Sequence, residues 1–169
     1  MKTKRDSEWI RFFIDVVRPL CENEKVLLMD TFSQHGGASC LLHSMAVAYF
    51  SLALADTLRI RCDRRSLVRG ALLHDYFLYD WHIKEVRDSH KLHGFTHPSE
   101  ALRNAKRDFD LNEIECNIIA RHMFPLTPMP PRFRESLIVC LVDKYCAIAE
   151  FFNGHPYRRH RRIFAVAYS

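Results

Sequence analysis

The feature that most constrains this fold is the stretch ASCLLHSMAVAYFSLALADTL at residues 38–58. Apolar side chains point in nearly every direction around a helix drawn through it, and such a helix must be surrounded by other elements. No run of eighteen consecutive apolar residues is present, so we expect no membrane-spanning segment. The stretch therefore predicts a central, buried helix.

The rest of the chain repeats the helical period and shows no long alternating pattern of the kind that strands require. We therefore predict one all-α domain over residues 1–169: a helical bundle with its core at about 38–152, N-terminal helices packed on it and a short basic C-terminal tail. The other predicted helices are one closed by Pro19, Asn23 to Phe32, Asp63 to His74, one that starts at Pro98, one after a capping box of Asp110 and Glu113, and Phe133 to Phe152.

Charge and cysteine content narrow the function classes. The net charge is +5, and four arginines in RRHRR at residues 158–162 account for most of the excess. We interpret this run as a solvated tail and favour small anionic substrates over nucleic acid as partners. Six scattered cysteines without a CxxC pair and a charged N-terminus without a signal-peptide pattern predict a cytoplasmic protein with reduced thiols.

Polar side chains interrupt the apolar faces of several predicted helices. His43, His74 and His122 continue apolar stripes, and Asp143 lies within SLIVCLVDKYCAIA. Taken singly, each histidine is more often a hydrogen-bonded core residue than a ligand, and Asp143 could pair with a cation. Together with Asp75, which follows His74, they indicate a metal site, because a cation would satisfy carboxylates and imidazoles in one bundle core.

The order of these residues resembles the HD superfamily of metal-dependent phosphohydrolases over residues 38–152. The segments LHDYFLYDWH, HGFTHP and RHMFPLTP are similar to a bacterial group of small, stand-alone HD hydrolases. The residues that carry the resemblance are His43, His74, Asp75, His97, His122 and Asp143.

The resemblance implies two divalent metal ions. The first would be bound by His43, His74, Asp75 and Asp143, and Asp75 would bridge to a second ion held by His97 and His122. Nitrogen and oxygen donors favour iron or manganese, with zinc, nickel and cobalt open. A metal-bridging hydroxide at catalytic Asp75 would then hydrolyse a small phosphate ester or anhydride, for example a nucleotide. A di-iron oxygenase and a non-catalytic metal or ligand sensor remain alternatives.

Several assignments stay open at this level. His93 replaces His97 as ligand if its helix starts earlier, whereas a helix start at Pro98 favours His97. Lys144 is a candidate catalytic and phosphate-binding residue or else an ordinary surface lysine. Asp80 and Lys84, which follow the His-Asp pair, are further candidates for substrate binding. The sequence gives no oligomeric state.

Overall fold

A computed structural model describes residues 4–34, 37–79, 93–153 and 157–167; the side chains of residues 4–6, 93, 94 and 167 lie outside this description. Within these ranges the chain is helical and contains no strand, which confirms the all-α prediction. The helices are α1 Lys4–Cys21, α2 Glu24–Leu28, α3 Cys40–Thr57, α4 Arg64–Leu73, α5 His93–Asp108, α6 Glu113–Arg121, α7 Arg134–Phe152 and α8 Arg161–Ala167.

Helix α3 is the central element. It begins at the N-cap Ser39, whose side chain accepts a hydrogen bond from the Leu42 amide, and it packs against α4 and α7. By length and composition α3 could cross a membrane, yet 61% of it is buried inside the bundle, as in a core helix. The predicted central helix is therefore confirmed.

Helices α4 and α6 approach each other closely at Gly70. A Cβ atom at this position would lie 2.6 Å from Cδ1 of Ile118, well inside van der Waals contact, so glycine is what permits the approach. Both helices end a few residues later, at Leu73 and Arg121. The close packing therefore brings the residues that follow, His74 and His122, to one place.

Two helix boundaries predicted from proline are wrong. Helix α1 continues through Pro19 to Cys21, and α5 begins at His93 with Pro98 inside it. Pro19 lies in the last turn of α1 and Pro98 in the second turn of α5, so each ring removes one backbone hydrogen bond near a helix end rather than in the middle of a helix.

The predicted capping box is also wrong, by two residues. It is formed by Asn112, whose side chain accepts from the amide of Glu115, and by Glu115, whose carboxylate accepts from the amide of Asn112. Glu115 also accepts a hydrogen bond from Arg69 Nε at 2.6 Å. This contact between two helices is not visible in the local sequence pattern. It favours the capping box at Asn112 and Glu115 over the predicted one at Asp110 and Glu113.

The C-terminal segment is not simply a tail. The arginines of the basic run are exposed, as expected, but Tyr157 and Phe164 are buried. Helix α8 packs on α1, and Arg18 Nη2 donates to the carbonyl of Val166 at 3.0 Å. The basic run therefore connects α7 to a helix that completes one side of the bundle.

Candidate metal centre

His74 and His122 end neighbouring helices in the same way. Each is the C-cap of its helix, and each donates from Nδ1 to a backbone carbonyl three residues earlier, Ala71 at 2.7 Å and Ile119 at 2.9 Å. A proton on Nδ1 leaves a lone pair on Nε2. The two ring centroids lie 4.9 Å apart, so the Nε2 atoms of both rings are directed toward one region of the core.

His43 is oriented by a carboxylate from α7. Its Nδ1 lies 2.9 and 3.0 Å from the two carboxylate oxygens of Glu150, and Glu150 also accepts from the Tyr157 hydroxyl at 2.6 Å. The other ring nitrogen, Nε2, lies 3.1 Å from Asp143 Oδ1. A carboxylate behind a histidine is the usual arrangement that holds a metal-binding imidazole.

Asp75 divides its two oxygens between two groups of histidines. Oδ2 lies 3.4 Å from His74 Nε2 and 4.0 Å from His43 Nε2. Oδ1 lies 3.3 Å from His97 Nε2 and 3.4 Å from His122 Nε2. One carboxylate therefore faces both halves of the cluster, as a bridging ligand must.

His97 completes the second half. Its Nε2 lies 2.8 Å from His122 Nε2. The side chain of the alternative, His93, lies outside the described residues. The structure thus brings His97 into the cluster even though the helix start that favoured it from sequence is wrong.

The electrostatics of the cluster follow from burial and the contacts between its members. Burial lowers the pKa of His43, but hydrogen bonds to Asp143 and Glu150 outweigh it and raise the pKa to about 10. Burial, reinforced by the neighbouring His74 and His97, lowers the pKa of His122 to about 3. Burial raises the pKa of Asp143, but the hydrogen bond from His43 and the proximity of the His74 ring outweigh it and hold the pKa well below its usual range. The site thus combines ionised carboxylates with a neutral imidazole.

A metal ion fits this set of donors. None of the six predicted donors is more than 8% exposed. Two groups, His43–His74–Asp143 and His74–Asp75–His122, each have ligand atoms within 4.8 Å of one another. Among the described residues, His74 Nε2 and Asp75 Oδ1 find no hydrogen-bond partner. Buried polar atoms left in this way need a cation or a water, and their chemistry matches a divalent metal.

The nearby thiol does not belong to the donor set. Cys40 Sγ contacts the carbonyl of Asp75 at 3.4 Å. Burial, followed by the charge of Asp75, raises the pKa of Cys40 well above its usual value, so the sulfur stays protonated and is a poor ligand. The cluster therefore remains a nitrogen and oxygen site.

Of the three predicted substrate-binding residues, the structure describes only Lys144. Lys144 Nζ donates to the carbonyls of His122 at 2.9 Å and Cys140 at 3.1 Å and contacts the Cys140 sulfur at 3.3 Å. These bonds hold the end of α6 against α7, and the catalytic and phosphate-binding roles of Lys144 stay predictions. Asp80 and Lys84 lie outside the described residues.

Four residues that support the cluster were missed from sequence. Gln34 Nε2 donates to Asp75 Oδ2 at 2.6 Å, and Asn104 Nδ2 donates to the carbonyls of the two residues after Asp75, at 3.3 and 3.1 Å. Glu150 and Tyr157 hold His43. A signal existed for Glu150 alone: it is two helical turns after Asp143 on the same side of an apolar helix.

An all-helical bundle whose core holds six buried histidine and aspartate side chains has the arrangement in which helical bundles build metal sites. The comparison with known families is more specific: a model of the HD domain matches residues 41–148, well over half of the chain. The chain belongs to the HD domain family, whose superfamily comprises metal-dependent phosphohydrolases.

All six predicted donors lie inside the matched region, whereas Gln34, Glu150 and Tyr157 lie just outside it. No curated protein and no solved structure matches the chain.

Proposed function

We propose that this protein is a metal-dependent hydrolase of phosphate esters or anhydrides that binds two divalent transition-metal ions and acts on a small phosphorylated compound such as a nucleotide. The observation that carries the proposal is the position of the Asp75 carboxylate. Its two oxygens face different pairs of histidines at 3.3–4.0 Å. A carboxylate placed in this way could serve two cations at once, as a two-metal hydrolytic site would require.

The chain's own residues prepare each half of this site. His43, His74 and Asp143 would hold one ion with Asp75, and His97 and His122 would hold the other. Metal ions held by these residues would supply the chemistry of the reaction: they would lower the pKa of a bound water molecule and neutralise charge on the phosphoryl group. The backbone carbonyls of Ala71 and Ile119 keep Nε2 of His74 and His122 directed inward. Glu150 does the same for His43.

The first experiment measures metal content by plasma mass spectrometry on protein purified without chelator or nickel resin. Phosphate release from nucleoside mono-, di- and triphosphates is then followed anaerobically with manganese, beside oxygen uptake with ferrous iron. We expect close to two equivalents of metal and phosphate release without oxygen uptake.

The variant Asp75→Ala should lose metal and activity, whereas Asp108→Asn, which changes a well-shielded carboxylate outside the centre, should keep both. Metal-dependent oxygen uptake without phosphate release would replace the proposal with an oxygenase. Bound metal with neither activity would replace it with a sensor.

A further inference from the structure

The outer side of α7 is apolar along its length. Every exposed residue between Leu137 and Phe152 is hydrophobic, whereas the inner side carries Asp143 and Glu150. The outer side chains are 50–81% exposed. We call them the α7 stripe: Leu137, Leu141, Tyr145, Ile148, Phe151 and Phe152.

The spacing of the α7 stripe keeps it on one side of the helix. Leu137, Leu141, Tyr145 and Ile148 follow one another at steps of four, four and three residues, which is eleven residues in three turns. That period is close to the 3.6 residues per turn of a straight α-helix, so the stripe does not wind around it. The result is a continuous apolar ridge.

Helix α1 shows which residues this protein places on a helix side that faces water. Its exposed positions include Glu8, Arg11, Asp15 and Arg18, one or two turns apart. Along the α7 stripe the only ionisable amine is that of Lys144, and it is bonded to backbone carbonyls. An exposed helix side made only of apolar residues is normally covered by a partner, so the outer side of α7 has the composition of an interface.

The area of the α7 stripe matches what a stable dimer requires. Three of its members are aromatic and at least 64% exposed. With the leucines and isoleucine they present on the order of 700 Å² of apolar surface per copy. Single exposed patches on monomers are usually smaller, about 300–600 Å², while a standard interface buries about 800 Å² per partner.

We propose that the α7 stripe is the interface with a second copy of this chain, in which two α7 helices pair antiparallel about a twofold axis. An axis that crosses α7 between Lys144 and Tyr145 places Leu137 opposite Phe152 of the second copy. The same axis places Leu141 opposite Ile148, and it brings the two Tyr145 rings together at the centre. The stripe is thus complementary to itself, as a twofold interface must be.

The α7 stripe suits a second copy better than a lipid surface. Helices that lie in a membrane interface carry lysine or arginine along the margins of their apolar side. Between Leu137 and Phe152 no exposed residue of α7 is charged. Pairing of two such helices needs no charge, and it would cover the outside of the helix whose inside holds Asp143.

The test is the molar mass by light scattering after size-exclusion chromatography, with full-length protein across micromolar concentrations. We expect a mass of about twice 19.9 kDa. Ile148→Glu should raise the dimer Kd by at least tenfold, because it buries a charge in the interface. Leu58→Glu is the matched control, since Leu58 is 61% exposed, like Ile148 at 60%, but lies at the end of α3; it should leave the dimer intact.

A second measurement tests the register. Leu141→Lys and Ile148→Glu should each be monomeric alone, and a mixture of the two should form a heterodimer, because the lysine of one chain then faces the glutamate of the other. A monomeric wild type, or an Ile148→Glu protein that dimerises normally, overturns the proposal. So does failure of the mixture to pair. Binding of monomeric wild type to phosphatidylglycerol vesicles would assign the surface to lipid instead.

Discussion

Two groups of shielded carboxylates in this protein have opposite surroundings. Asp108 is held by cations that the chain itself provides: Lys25 Nζ at 2.8 Å and Arg107 Nη2 at 2.8 Å, with the Tyr76 hydroxyl at 3.1 Å. Asp75 and Asp143 face imidazoles, and among the described residues no lysine or arginine pairs with either.

The groups that surround a shielded carboxylate therefore distinguish a structural role from a functional one. At Asp108 hydrogen bonds from Arg107 are the largest influence, and with Lys25 and Tyr76 they outweigh desolvation, so the pKa lies well below its usual range with no outside cation. At Asp75 the neighbouring lone pairs of His74 and His122 are directed at the same space as the carboxylate. Such a site gains most from a cation that comes from solution.

The sharpest test of this comparison replaces one carboxylate from each group. Asp75→Ala removes the ligand that both halves share, so we expect both metal equivalents to be lost and the metal affinity to fall by more than about 100-fold. Asp108→Asn should keep its full metal content. Metal analysis of the two purified variants checks this. Full metal content in Asp75→Ala would show that Asp75 is not the ligand shared by both halves.

A smaller effect is expected from variants that remove a ligand from only one half of the metal centre. His97→Ala and His122→Ala each remove a ligand from the half that lacks Asp143, so they should lose about one equivalent of metal and keep the other. Titration with manganese or ferrous iron under equilibrium dialysis would distinguish this from uniform weakening. If both equivalents were lost together, the two halves would form one cooperative site.

The pH dependence of metal binding tests the role of Glu150. Because the pKa of His43 is raised to about 10, a proton must leave this ring when a metal binds. Metal affinity should therefore rise by up to about tenfold per pH unit below pH 10 and level off above it. Glu150→Gln keeps the shape but removes a charge that raises this pKa, so its affinity should level off at a lower pH. An unchanged profile would mean that Glu150 does not control the protonation of His43.

The smallest effect concerns the structural carboxylate. The folded-state pKa of Asp108 is lowered, so its contribution to stability is complete above the ordinary aspartate pKa of about 4 and is lost as the pH falls through the folded value. Asp108→Asn should lower the free energy of unfolding by about 1 kcal/mol at pH 7. This difference should shrink below pH 4 and be the same with and without metal. Urea unfolding at several pH values measures it, and a metal-dependent difference would connect Asp108 to the centre.

The sequence alone determined the helical class and the central helix, and its resemblance to the HD superfamily predicted six donor residues that the fold brings together. Periodicity reports which side of a helix faces inward, so His43 and Asp143 stood out as polar residues on apolar faces before any fold was known. The start of α4 was equally visible: the predicted helix begins at Asp63, whose side chain accepts from the Ser66 amide at 2.9 Å as the N-cap, and capping is local chemistry.

Only the tertiary structure decided how those donors are held and which helix registers apply. His43 and Glu150 are 107 residues apart and Gln34 and Asp75 are 41 apart, and no pattern within one helix encodes a contact between two distant ones. The capping box lies at Asn112 and Glu115, two residues later than predicted, because Arg69 of α4 reaches Glu115 of α6. Lys144 donates to the carbonyl of His122, which only folding brings near it. Helical periodicity shows which side chains turn inward, and the packing of the helices against one another determines which groups those side chains meet.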